Sequence, residues 1–533
     1  MTNLKKYIIF ILAGIIIILN GCSGGSSSGG TGTSSGTLSE NTNSRPSYDV
    51  VRTYTADNFS SQDQGVLVVS SHYTGQAPSF SYSASTQESK QGPVLFAPVN
   101  NMSRLKDTLD GKEADKDLDI SLIKYGEYVN KTTGVNKKDL GIPKAYNEGD
   151  EEDFHILSGG SGFSTCTARC YKKGDHCYVF IDTSSENIPA EDREAVAGKI
   201  VASFEEDNSP FNPGVGIYDK TREYFGTEWS PGIDGDTRIF ILISPKLGSK
   251  YGYFFSLDET TAQNSNKKEI IYVNDDIFGN NMYDGLATIA HEFQHLINYN
   301  MKYVQNGVFE IITVNEGQSV LCEHLNGFTP QGGGTYAGNG YILSKIKSFL
   351  EDPSSFYFYY WSGGADYGPA YLFMLYIMER YGADTIKSIA ASSEAGTVNI
   401  ENRTGTLFSI LFRDWLLVNY YSGLSGSPIL PSGDPHSKYG SINIKGTYTG
   451  YSRRDNISTE DYALGGVSFS GSISGYPGSE DISLGQYNCK YLKFTTQSET
   501  AENISIIYSS ASDYSTYSNF IIEHPAGTFA DIQ

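Results

Sequence analysis

His291-Glu292-Phe293-Gln294-His295 places two imidazoles at i and i+4 with a carboxylate after the first. On a helix those two positions stand one above the other, so both rings can reach one ion. Glu292 then falls beside the ion rather than under it, which suits a base rather than a ligand. A carboxylate there can take a proton from water activated by a metal and pass it to a leaving amine. Two imidazoles leave a tetrahedral zinc site one protein ligand short. Glu316, within Asn315-Glu316-Gly317, opens a segment of helical spacing that one loop would return over the first helix. It is read as the third ligand, and zinc, one ion per chain, as the cofactor.

Other readings of the same residues have weaker support. The metzincin pattern needs glycine and histidine at set places after the second histidine, where this chain has Asn298 and Met301. A histidine pair at this spacing also arises by chance in unrelated chains. Thr313 and Glu316 fit a capping box, which would employ the glutamate at a helix start instead.

The elements that must position these groups follow from periodicity. Over a helix from about 283 to 300, Leu286, Ala290, Phe293 and Ile297 gather opposite the histidines, so a core and a ligand face coexist. Before it come apolar strands at 177–182, 237–243 and 269–274, a helix at 190–205 and an aromatic edge strand at 250–256. After Glu316 the spacing turns helical at 341–351, 369–381 and 406–421, with Pro369 suited to a first turn. Strands alternating with helices in this order imply a mixed sheet backed by helices.

His291 to Tyr299, Asn315-Glu316-Gly317 and Tyr367-Gly368-Pro369-Ala370-Tyr371-Leu372-Phe373 together resemble the hyicolysin family of metallopeptidases, which belong with the thermolysin-like, glutamate-ligand zincins. Thr221 to Gly226 and Gly232 to Leu242 extend the likeness, which spans roughly 177–423. The resemblance implies zinc on His291, His295 and Glu316 with Glu292 as general base. It implies a bilobed zincin peptidase of mixed sheet plus helical lobe; with the β-prone segments read on either side of it, the expected fold is α+β with flanking β domains. It also implies that the strand carrying Gly252, Tyr253 and Phe254 binds substrate backbone by sheet addition. The alternative for that strand is an ordinary aromatic hairpin. Tyr367 precedes a helix in the shared segment, and a phenol facing the metal would donate to a tetrahedral oxyanion, with a packing role as the alternative in a chain so rich in tyrosine. One departure concerns the aspartate that in thermolysin follows the ligand glutamate by four residues and orients a histidine, because Val320 stands there. Glu323, two helical turns beyond Glu316, is the substitute candidate, with a plain solvated glutamate as the alternative.

In chain order, 1–21 reads as a lipoprotein signal peptide, with Lys5 and Lys6 before an apolar run ending Leu19-Asn20-Gly21-Cys22. Cys22 would carry the lipid that anchors the protein to a membrane, with Ser23 favouring the outer membrane and cell surface. The alternative is a simple secretory signal with an incidental cysteine. Residues 22–45 form a Ser/Gly-rich tether that lacks the apolar surface to fold. Residues 46–97 read as a small β domain, 98–157 as a charged linker, 158–440 as the peptidase and 441–533 as a second β domain. A Ca2+ loop in the acidic linker is conceivable, but the glycine and terminal glutamate of an EF-hand are missing at the required spacing.

Against 39 basic side chains the chain sets 61 acidic ones, which argues against nucleic acid as a partner. Of the six cysteines, Cys166, Cys170 and Cys177 share one segment. The expectation there is one structural disulfide, with a Cys/His metal cluster including His176 as the sharper alternative. The expected protein is a monomeric surface endopeptidase acting on protein or peptide substrates. An adhesin that keeps the scaffold without its chemistry is the rival from another class, and an aminopeptidase the third reading.

Overall fold

The computed structural model describes residues 144–158, 162–208, 210–278, 282–332, 337–422, 430, 432–451, 459–469 and 487–493, together with the strands named below. The signal segment, the tether, Cys22 and 86–143 of the acidic stretch lie outside the described residues. Among the described residues no helix is long and apolar enough to cross a membrane.

Strands β1 (Arg52–Phe59), β2 (Gln64–Ser71) and β3 (Ser79–Ser85) precede a six-stranded sheet. That sheet is built from β4 (Glu151–Ser158), β5 (Gly162–Lys173) and β6 (Cys177–Asp182). After helices α1 (Arg193–Glu205) and α2 (Ile217–Phe225) it adds β7 (Ile239–Ile243), β8 (Gly252–Phe254) and β9 (Ile270–Val273). The spatial order is β4-β5-β6-β7-β9-β8. β6, β7 and β9 run parallel, while β4, β5 and β8 are antiparallel to their neighbours, so the fold is α+β with a mixed sheet.

The central strands are buried on both faces, as crossover connections require. Val179, Ile181, Ile241, Ile271 and Val273 face a large core shared with the helices. Phe180, Phe240, Leu242 and Tyr272 face a second core, sealed by Phe154 and Ile156 of β4 and by Tyr146. Tyr146 meets Phe180 edge-on at 5.3 Å.

This second core corrects two expectations. The acidic stretch 98–157 is not linker throughout, because Glu151 to Asp153 lie in β4, paired with Thr167 to Arg169. Alternation explains most of it: Glu151 and Asp153 project to solvent, while Phe154 and Ile156 project inward with the half-buried Glu152 at the end of their face. The expected disulfide is also not formed, since all five described cysteines are free and buried. Cys166 and Cys170 face the second core and Cys177 the first. Four residues along one strand separate Cys166 from Cys170 by about 13 Å, well beyond the roughly 7 Å limit for a disulfide. The same division scatters the Cys/His metal cluster.

Helix α3 (Tyr283–Asn298) follows β9 and continues into a π-helical turn, Tyr299–Val304. Then come α4 (Ile312–Leu325), α5 (Gly340–Glu351), α6 (Tyr367–Tyr381), α7 (Ala383–Ala390), α8 (Gly396–Thr404) and α9 (Phe408–Tyr421). Gly317 lets α4 and α6 touch: a Cβ there would stand 2.6 Å from the Ala370 carbonyl oxygen.

The chain continues through a hairpin of β10 (Thr447–Tyr451) and β11 (Thr459–Ala463) to β12 (Gly471–Ser474), β13 (Gly478–Ser483), β14 (Cys489–Thr495), β15 (Glu502–Ser510) and β16 (Tyr517–His524). Two four-stranded sheets result, ordered β1-β15-β3-β13 and β12-β14-β2-β16. The segments expected as separate β domains, 46–97 and 441–533, therefore share both of these sheets. The second sheet is fastened to the helices, with the Tyr491 hydroxyl donating to the Leu416 carbonyl at 2.7 Å and the Asn488 amide donating to that of Phe356 at 2.7 Å.

Candidate metal centre

Helix α3 is buried nearly all round, so its polar groups must find partners within the protein. His291 and His295 project from the face that meets α4, and their rings pack edge-on with centroids 4.9 Å apart. Glu316 stands on the first turns of α4. Its Oε2 lies 3.3 Å from Nε2 of His291 and 3.3 Å from Nε2 of His295. Ligand atoms from these three residues all fall within 4.8 Å of one another. The capping-box alternative is not adopted, because α4 starts from Ile311 without a side-chain cap and Glu316 turns to the histidines.

The opposite nitrogens are held separately. His291 Nδ1 is 2.8 Å from Glu323 Oε1, and the other oxygen of Glu323 accepts from the Asn339 amide at 2.8 Å. His295 Nδ1 is 3.2 Å from Asn315 Oδ1 and 3.2 Å from the Ser319 hydroxyl. Both Nε2 atoms are thereby aimed at the same point.

Whether these residues suit a divalent ion can be judged from Glu316. Its carboxylate is 1% exposed, yet neither oxygen has a well-formed hydrogen bond, the two imidazole Nε2 atoms standing at 3.3 Å from Oε2. Burial alone would raise its pKa, but His295 and His291 pull it down to about 2. Burial alone would likewise lower His291, but its contacts with Glu316 and Glu323 and the charge of Glu292 raise it well above the ordinary value. His295 is raised for similar reasons, chiefly by Glu316. The pocket's carboxylates therefore demand positive charge, which protons on both rings or one divalent cation would supply. Two nitrogens and a carboxylate are donors suited to zinc, and the residues fit it.

Glu292 is buried one residue on from His291 and lies under the sheet edge. A Cβ on Gly252 would stand 2.6 Å from Thr288 Cγ2 and 3.1 Å from Glu292 Cγ, so only glycine lets β8 pass this close. β8 is the edge strand, paired on one side with β9. The Tyr253 side chain turns away into the second core, stacked on Tyr272 at 4.3 Å. Phe254 faces α3, with its ring 5.7 Å from that of Tyr299. Tyr367 lies with its ring 6.2 Å from His291, and Trp361 and Tyr341 pack edge-on against it at 5.0 and 6.0 Å.

Asn315, Ser319 and Asn339 carry no individual signal in the sequence, although Asn315 sits inside the Asn-Glu-Gly motif. Two further residues missed there are Lys302 and Glu310, a fully buried pair at 2.9 Å in the connection between α3 and α4. Glu310 also accepts from the backbone of Ile311 and Gly396 and from the Asn399 amide. The clamp fixes where α4 begins, hence where Glu316 arrives.

No known protein family matches the chain, and no curated protein is similar to it.

Proposed function

We propose that the chain is a zinc-dependent endopeptidase of hyicolysin type, in which the mixed sheet and the helices after α3 form the two lobes of a zincin. The observation that carries this reading is the meeting of His291, His295 and Glu316 around a buried carboxylate that has no well-formed hydrogen bond. These three residues would hold zinc, which when bound would supply Lewis acidity for a peptide carbonyl and for water.

The remaining work belongs to the chain's own side chains. Glu292 takes the proton from the attacking water and delivers it to the amide nitrogen as the C–N bond breaks. The Tyr367 phenol donates to the oxygen that gains charge. Backbone groups of Gly252, Tyr253 and Phe254 pair with an extended substrate, whose scissile bond is thereby laid over Glu292. Tyr253 contributes only its backbone, because its ring is in the second core. Lipidation of Cys22 would hold the enzyme at the bacterial surface, and mass spectrometry of the mature amino terminus tests that part separately.

The deciding experiment measures zinc per chain by elemental analysis beside casein cleavage, for wild type and Glu292→Ala. Zinc near one per chain in both, with cleavage in wild type alone, is the expected result. Zinc in both with cleavage of neither casein nor a diverse peptide library would favour the adhesin. No zinc would remove the ligand assignment.

A further inference from the structure

Asn339 joins the histidine pocket to a hairpin far along the chain. Oε1 of Glu323 stands 2.8 Å from Nδ1 of His291, while Oε2 accepts from the Asn339 amide at 2.8 Å. Glu323 and Asn339 are both buried, at 3% and 5% exposure. The carboxylate that holds the imidazole is therefore itself held. The other half of the Asn339 side chain works elsewhere: its Oδ1 accepts from the Ile342 backbone at 3.2 Å and caps α5. An amide engaged at both ends cannot rotate without breaking one of these bonds.

The backbone around Asn339 is pinned as well. It forms a parallel bridge with Tyr451 of β10, whose N–H donates to the Gly338 carbonyl at 3.0 Å. Both sides of this junction need glycine. A Cβ on Gly340 would stand 2.2 Å from the Tyr451 carbonyl oxygen, and one on Gly450 would stand 2.6 Å from Gly340 Cα. Gly450 lies opposite Glu460 of β11 and Tyr451 opposite Thr459, so the hairpin meets the start of α5 as a paired unit.

We propose that Asn339 is a positioning residue for the metal, and that the β10–β11 hairpin tunes metal affinity by fixing where Asn339 stands. The inference rests on the reading of His291, His295 and Glu316 as zinc ligands. A carboxylate behind a histidine ligand strengthens the site by orienting the ring, which it does only while its own orientation is fixed. Without the Asn339 amide, Glu323 keeps its place on α4 but turns about its stem, and His291 loses its fixed aim. A hairpin formed after all of the helices thus acts on a ligand borne by α3.

Two substitutions at one position separate aim from folding. Asn339→Ser and Asn339→Ala both remove the amide, but serine retains a helix cap and alanine does not. Full-length protein freed of metal is titrated with zinc against a competing chelator. Both variants should bind zinc about tenfold more weakly than wild type, whereas without metal Asn339→Ser should melt above Asn339→Ala. With cobalt in place of zinc, both should alter the visible absorption bands, which report ligand geometry. Gly450→Ala tests the hairpin: it should also weaken zinc, and should add little to the loss when combined with Asn339→Ser. Wild-type affinity in both Asn339 variants, or a loss that follows the order of their melting, would overturn the positioning role. Additive losses in the double variant would separate the hairpin from the ligand. Failure of wild type to take up zinc would instead remove the ligand assignment on which the inference rests.

Discussion

Glu323 Oε1 lies 2.8 Å from Nδ1 of His291, on the side of the imidazole away from Glu316. With zinc bound as proposed, the carboxylate would fix the tautomer that presents Nε2 to the ion and make that nitrogen a better donor. Glu323→Ala is expected to weaken zinc by about 10–100-fold in competition with a chelator, with Glu323→Gln falling between. Wild-type affinity in the alanine variant would reduce Glu323 to a packing residue.

Gly252 is where edge strand β8 passes closest to Glu292 and Thr288. A Cβ there would sit 2.7 Å from the Tyr272 carbonyl oxygen and 2.6 Å from Thr288 Cγ2, so Gly252→Ala must shift β8 or α3. The expected destabilisation is about 1–3 kcal/mol in urea unfolding. Peptide cleavage should fall while zinc per chain stays at the wild-type level, because the nearest atoms to the added methyl belong to Thr288, Tyr272 and Glu292, none of them a proposed ligand. Unchanged cleavage would mean that the strand does not seat the substrate.

Lys302 and Glu310 are 1% and 0% exposed, so neither can be left alone. Lys302→Met should cost about 3–5 kcal/mol by stranding the carboxylate. Replacing both residues with apolar ones of similar volume should recover part of that loss in the same denaturation assay, and an equal loss in the double variant would contradict the account.

His324 is half-buried against Tyr371, its Nδ1 2.8 Å from the phenol oxygen, and desolvation pushes its pKa down to about 4. The unfolded chain, with an ordinary value near 6.5, binds the proton first as pH falls. Stability from this group is therefore complete above about pH 6.5 and is lost between there and pH 4, by about 3 kcal/mol in all. Comparing wild type with His324→Gln cancels the other titrations, and the variant should show the shallower acid slope. Parallel slopes would show that His324 is solvated.

The legible parts of the site are those encoded within a turn or two of helix. His291, Glu292 and His295 declare themselves by spacing, and the face opposite them predicts the core that holds α3. Glu316 needs only one loop closure more. What the sequence hides is contact between distant segments: Asn339 reaches Glu323 from another helix, and nothing in the spacing of Lys302 and Glu310 announces a buried pair. The cysteines mislead because proximity in sequence says nothing about which sheet face a side chain takes. The acidic run before Phe154 reads as linker because its charges mask the alternation that makes it an edge strand.

β2 has its two neighbours in β14 and β16, strands made only after the six-stranded sheet and all of the helices. Until they emerge, its backbone edges have no partners and invite pairing with another chain. The early strands must therefore wait through the synthesis of everything between, and a chain cut short after α9 would carry β1, β2 and β3 without the partners that complete their sheets.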